Sequence, residues 1–168
     1  MDVDVLVEAE GWRGIVTRAA VESLCADAVE RAAAATELHD VAVSVTVLLT
    51  DDAAVRDLNA RYRGQDSATN VLSFPFLDGD ELGSIKAGEE AHPGELAHLG
   101  DVAVALETVV REAQAAGKPV DQHLTHLVIH GFLHLVGYDH LTDDDATVME
   151  NLERRVLADF QIPDPYSS

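Results

Sequence analysis

The hydrophobic and polar positions of the chain fall into alternating short strands and longer helical stretches. Val3 to Val7 alternates apolar residues with acid, the period of a half-buried strand. A helix is predicted from about Thr17 to Ala35, with Ala20, Val21, Leu24 and Val29 as its buried face. Val41 to Leu49, rich in Val and Thr, reads as a second strand. Thr50 or Asp51 is placed to cap a short helix whose inner face would carry Val55, Leu58 and Tyr62. After the turn-forming run Arg61 to Asp66, Val71 to Phe76 gives a third strand. Pro75 puts that strand at a sheet edge or marks its end. Asp101 to Leu106 is a fourth strand, and Glu107 to Ala116 the helix that follows it. The last two helices are Lys118 to Val136, with Leu124, Leu127, Val128 and Leu135 inward, and one opening at Thr142-Asp143-Asp144-Asp145. Acids there suit the positive end of a helix, and Met149, Leu152 and Val156 give it a buried face.

Composition narrows the picture. At 168 residues and 47% apolar, residues 1–168 fit a single domain able to bury a core without staples. No run approaches the roughly 18 apolar residues of a membrane span, and the acidic start is unlike a secretory leader, so a soluble, cytoplasmic protein is expected. Cys25, the single cysteine, permits no internal disulfide and stands in a plain amphipathic helix without an activating neighbour. The formal charge of −20 opposes non-specific binding to polyphosphate. A nucleic-acid substrate would need a local basic groove or a partner that delivers it. Six acids against Lys86 between Asp78 and Glu95, with several Gly and Pro93, read as a solvated loop.

The chemistry concentrates in His123 to His140. His130 and His134, four residues apart, share one helix face with their Cβ atoms roughly 5–6 Å apart, the bite of a chelate. Gly137 can take the left-handed conformation that stops the helix and lets the chain return His140 to the same point. The string H-x-x-x-H-x-x-G-x-x-H is the long zinc-protease spacing, except that Gly131 stands where those proteases place a general-base Glu. Three imidazoles leave zinc a fourth position open, as catalytic sites require, whereas a structural site closes its coordination, usually with Cys. His123 and His126 read as neighbours of the site or as surface residues, since neither explains Gly137 or His140. Mid-helix, Gly131 costs about 1 kcal/mol against Ala, which points to close packing or to open space beside the metal, unless the glycine is merely tolerated.

Three blocks carry a family resemblance. His130-Gly131-Phe132-Leu133-His134-Leu135-Val136-Gly137-Tyr138-Asp139-His140 resembles the signature of the YbeY family of bacterial endoribonucleases. Tyr62-Arg63-Gly64-Gln65-Asp66, through Thr69-Asn70-Val71-Leu72-Ser73-Phe74-Pro75, is similar to the family's link from helix to edge strand. Leu99-Gly100-Asp101-Val102 resembles its penultimate strand. Gln65 stands where the family usually has Lys, and Ala68 where it usually has Pro. The resemblance implies a zincin-like α+β domain, a mixed four-stranded sheet packed with about five helices. It also implies one zinc ion on His130, His134 and His140, and Arg63 as the catalytic, phosphate-contacting side chain. Its expected activity is cleavage of single-stranded RNA, in maturation of the 16S rRNA 3′ end and late ribosome quality control. The small ribosomal subunit or its proteins would be partners, with no role for DNA or a membrane.

Beside the resemblance, the residues support the chemistry on general grounds. Neutral ligands leave zinc its double charge, enough to bring a bound water from near 16 towards a pKa of about 7. A guanidinium forks onto phosphoryl oxygens where a Lys would be a point charge, which suits Arg63. Whether that water or the RNA's own 2′-hydroxyl attacks stays open. Two other readings remain: a zinc metallopeptidase, weakened by Gly131, and a non-catalytic zinc-stabilised module that docks on the ribosome.

Overall fold

A computed structural model describes residues 1–15, 20–38, 41–89 and 96–167. The expected helix start at Thr17 and the end of the acidic segment at 90–95 lie outside the described residues. In chain order the elements are β1 (Asp2–Val7), a 3-10 turn (Glu10–Gly14), α1 (Val21–Ala34), β2 (Val43–Thr50), α2 (Asp52–Arg63), β3 (Val71–Pro75), α3 (Gly79–Lys86), β4 (Ala97–Ala105), α4 (Leu106–Ala116), α5 (Val120–Leu135) and α6 (Asp143–Asp159). The result is an α+β fold in which one mixed sheet has the order β1-β2-β4-β3. β1, β2 and β4 run parallel, and β3 pairs antiparallel with β4 at the edge, where Pro75 needs no ladder partner beyond it.

One face of the sheet builds the core. Val43, Val45, Val47 and Leu49 of β2, with Leu99, Val102 and Val104 of β4, are buried against α1 and α5. α5 is apolar on nearly every side: Leu124, Leu127, Val128, Ile129, Phe132, Leu133 and Leu135 are all buried. A helix of that kind belongs in the interior, and each such side chain contributes about 1.5–3 kcal/mol by leaving water. Trp12, fully buried, donates from Nε1 to the Thr50 carbonyl at 2.9 Å and closes the end of β2. Among the described residues no helix is long and apolar enough to cross a membrane.

Several elements depart from expectation. β4 begins at Ala97, four residues before Asp101, because its register against β2 shifts between Ser44 and Val45 and carries the ladder past an irregularity. Gly100 sits in that irregularity at φ 146°, and a Cβ there would lie 2.2 Å from the Phe74 carbonyl oxygen, so only glycine fits. The acidic segment is not a plain loop. Asp78 and Glu81 form a reciprocal capping box (Glu81 N to Asp78 Oδ1, 2.8 Å), and Leu82 and Ile85 bury into the core, giving α3 as a sixth α-helix.

Tyr62, expected on the inner face of α2, is 66% exposed. The last turn of α2 overhangs the short edge strand, and the Tyr62 ring meets Phe74 edge-on at 5.6 Å. In α1 the buried face is carried by Val21, Cys25, Ala28, Val29 and Ala32, while Ala20 is the exposed N-cap. Burial pushes the Cys25 thiol up to about 12, which keeps it inert.

Candidate metal centre

α5 delivers the first two imidazoles from successive turns. Its end is fixed by the backbone: Tyr138 N donates to the Leu133 carbonyl at 3.0 Å, and Gly137 takes φ 99°, so the chain doubles back. That return carries His140 to the exposed mouth of the site. The ligand-capable atoms of His130, His134 and His140 all lie within 4.8 Å of one another. The ring centroids are 4.6 Å apart for His130 and His134, 5.1 Å for His134 and His140, and 5.8 Å for His130 and His140.

The remaining ring nitrogens fix the tautomers. His130 Nδ1 donates to Glu153 Oε1 at 2.5 Å, and His134 Nδ1 donates to the Tyr138 carbonyl at 2.9 Å. His134 therefore turns an unprotonated Nε2 inward, and the Nε2 atoms of the two rings stand 3.1 Å apart. Tetrahedral zinc with Zn–N bonds of about 2.05 Å sets its nitrogens about 3.3 Å apart, so the donor set fits a small cation. Burial, with His130 and His140 close by, pushes the His134 pKa down to about 4, so that ring is neutral and needs no proton displaced at neutral pH.

The three histidines line a cleft of about 620 Å³ whose opposite wall is β3 and the end of α2. Arg63 closes that wall. Its guanidinium donates to the Ser73 carbonyl and lies over the Phe74 ring, 5.5 Å from the centroid. Ser73 Oγ in turn donates to the Gly131 carbonyl at 2.9 Å, tying the edge strand to α5. Gly131 is a close-packing glycine rather than an open space: a Cβ there would lie 2.6 Å from Val102 Cγ1 and 3.3 Å from Ser73 Oγ. The four residues singled out from the sequence, Arg63, His130, His134 and His140, thus share one cleft.

His123 and His126 stay outside the trio and are mostly buried, their side chains 14% and 13% exposed. His123 Nε2 pairs with Glu112 Oε1 at 3.0 Å, while His126 Nε2 lies 3.3 Å from the Tyr166 hydroxyl and 3.5 Å from Glu153 Oε1. Glu153 was not singled out from the sequence. Its signal was there: it lies within the stripe Met149, Leu152 and Val156, so a helix that buries those three also buries it. Burial works against its charged form, but His126, His130 and Tyr166 outweigh it and hold Glu153 below the usual carboxylate range.

Comparison with known proteins agrees with this architecture. A family model described as Endoribonuclease YbeY matches residues 7–161. The chain is 48% identical over 164 residues to an Endoribonuclease YbeY from Rhodopseudomonas palustris strain HaA2, covering 98% of this chain and 80% of the relative. It is also 48% identical over 164 residues to one from Nitrobacter hamburgensis, covering 98% and 81%. The fold is similar to the solution structure of TM1509 from Thermotoga maritima, with TM-score 0.56 and 23% identity over 99% of each chain. With a family model spanning nearly all of its length and relatives at this identity, the chain belongs to the YbeY family of endoribonucleases.

Proposed function

We propose that residues 1–168 act as one zinc-dependent endoribonuclease domain that cleaves single-stranded RNA in the cytoplasm. Its place would be maturation of the 16S rRNA 3′ end and late ribosome quality control, with the small ribosomal subunit or its proteins as partners. The observation that carries this reading is the convergence of His130, His134, His140 and Arg63 on one cleft. His130, His134 and His140 would hold the ion, and three neutral nitrogen donors suit zinc. When bound, zinc would supply a Lewis acid for a phosphoryl oxygen and lower the pKa of a water towards about 7.

The chain's own residues do the rest. Arg63 lines the same cleft as the histidines and carries a planar, permanently charged fork, suited to the oxygens on which negative charge develops during phosphodiester cleavage. Its hydrogen bond to the Ser73 carbonyl and its place over Phe74 hold that fork in position before substrate arrives. Arg63 is the one Arg or Lys among the described residues lining the cleft, which supplies local positive charge on a chain of −20.

The peptidase reading loses its base at Gly131, and packing deepens the objection, because Val102 occupies the space where a Glu side chain would have to begin. Cleavage of single-stranded RNA and of casein, each with and without a chelator, separates the readings. Metal-dependent RNA cleavage with casein intact is the expected result. Casein cleavage would favour the peptidase, and no cleavage of either would favour a zinc-stabilised module that docks on the ribosome.

A further inference from the structure

Glu153 is fully buried, 0% exposed, on the face of α6 that packs against α5, with Met149, Leu152, Val156 and Leu157 buried around it. A carboxylate stays charged in such surroundings only where donors are aimed at it. Both of its oxygens are engaged. Oε1 accepts from His130 Nδ1 at 2.5 Å, and Oε2 accepts from the Tyr166 hydroxyl at 2.5 Å.

Tyr166 lies beyond α6, on the C-terminal segment, and is itself anchored. Its N–H donates to Asp164 Oδ1 at 2.8 Å, Asp164 Oδ2 accepts from Arg154 Nε at 2.9 Å, and the Arg154 guanidinium lies 5.3 Å from the Tyr166 ring centroid. The segment therefore folds back onto α6 to place one hydroxyl on one buried carboxylate.

We propose that Glu153 is the positioning residue of the metal centre: it locks His130 as the Nδ1–H tautomer with Nε2 facing His134, while Tyr166 holds the Glu153 carboxylate in register. The proposal rests on the reading of His130, His134 and His140 as the ligand set. An imidazole can carry its proton on either nitrogen and can rotate about χ2, and a fixed carboxylate at Nδ1 removes both freedoms. It also makes the ring a stronger donor at Nε2. His126, with Nε2 at 3.5 Å from Glu153 Oε1, is too distant to displace His130 from that oxygen. His126, His130 and Glu153 form a second group with ligand atoms within 4.8 Å, but there the His130 nitrogen facing Glu153 is the one that carries the proton.

The test uses the full chain as parent, Glu153→Gln, Tyr166→Phe and His134→Ala. Zinc affinity is measured by competition with a chromophoric chelator, and the ring nitrogen shifts of His130 are read by NMR in the metal-free proteins. Glu153→Gln is expected to weaken zinc binding by about 10–100-fold and to mix the His130 tautomers. Tyr166→Phe should do the same to a smaller degree. A Glu153 that served only the packing of α6 would lower thermal stability and leave both readouts unmoved, so parent-like affinity in folded Glu153→Gln overturns the proposal. Should that variant fail to fold, Tyr166→Phe decides in its place, with parent-like affinity and tautomer overturning it. Zinc lost in Glu153→Gln but kept in His134→Ala would put the ion on His126, His130 and Glu153, and also overturns it. A parent that binds no zinc refutes the ligand-set reading itself.

Discussion

His130 Nε2 and His134 Nε2 face each other at 3.1 Å while their Nδ1 atoms donate in opposite directions, to Glu153 and to the Tyr138 carbonyl. That spacing is close to the roughly 3.3 Å between two nitrogens on one tetrahedral zinc, so the pair is set to share the ion. Zinc is therefore expected to stabilise the folded chain, by about 2.7 kcal/mol when free zinc is 100 times Kd. For a chain of this length that corresponds to a rise in Tm of roughly 5–10 °C. Thermal unfolding with and without zinc measures it, and His134→Ala should abolish the response. A parent Tm indifferent to zinc would remove the basis for a metal at this site.

Arg63 makes two contacts that a lysine's single ammonium is poorly shaped to make together, a hydrogen bond to the Ser73 carbonyl and a cation–π contact over the Phe74 ring. Arg63→Lys is expected to lower RNA cleavage by about 100-fold or more while zinc content and Tm stay at the parent's values. Full activity in a ribonuclease assay would refute the role given to this side chain.

Gly131 sits against Val102 with 2.6 Å available to a Cβ. Gly131→Ala gains about 1 kcal/mol of helix propensity, yet crowding a packed interior costs about 1–3 kcal/mol, so a net loss of stability is expected. Denaturant unfolding of Gly131→Ala should therefore give a lower midpoint. The same substitution in a Val102→Ala background should cost less, because the colliding methyl is gone. Equal cost in both backgrounds would show that Val102 is not the constraint.

Asp52 and Glu107 tie α2 to α4 at their starts. Asp52 Oδ1 accepts from Thr108 N at 3.0 Å and from Thr108 Oγ1 at 2.9 Å, while Asp52 N donates to Glu107 Oε2 at 2.7 Å. Partial burial acts to raise the Asp52 pKa, but the Thr108 hydrogen bonds and the Arg111 charge outweigh it and hold the carboxyl below its usual value. A folded pKa below the unfolded one means stability that is fully present above about pH 4 and is lost as pH falls through the folded value. Asp52→Asn should accordingly show a shallower loss of stability than the parent as pH falls below about 4. Parallel pH profiles would count against this link.

Much of this was readable from residues alone, and the exceptions have physical causes. α5 and α6 announce themselves because periodic apolar residues, the Thr142 cap and Gly137 agree, and the His130 and His134 spacing places both rings by helix geometry. α3 was hidden by its acids. Composition suggested a solvated loop, while the Asp78 and Glu81 cap with Leu82 and Ile85 three apart carried the helix. Tyr62 misled because helical spacing from Val55 says which way a side chain points but not where the strand beneath it ends. Glu153 was overlooked since a Glu on a helix is usually solvated. Tyr166 had no local signal, because its partner is set by how the tail folds onto α6.

Cleavage of single-stranded RNA, followed in one preparation as purified, after complete chelation and after zinc is restored, tests the central claim most directly. The account expects cleavage to vanish on chelation and return with zinc in the parent, and to be absent throughout in His134→Ala. Cleavage that continues once the parent is free of metal would contradict it.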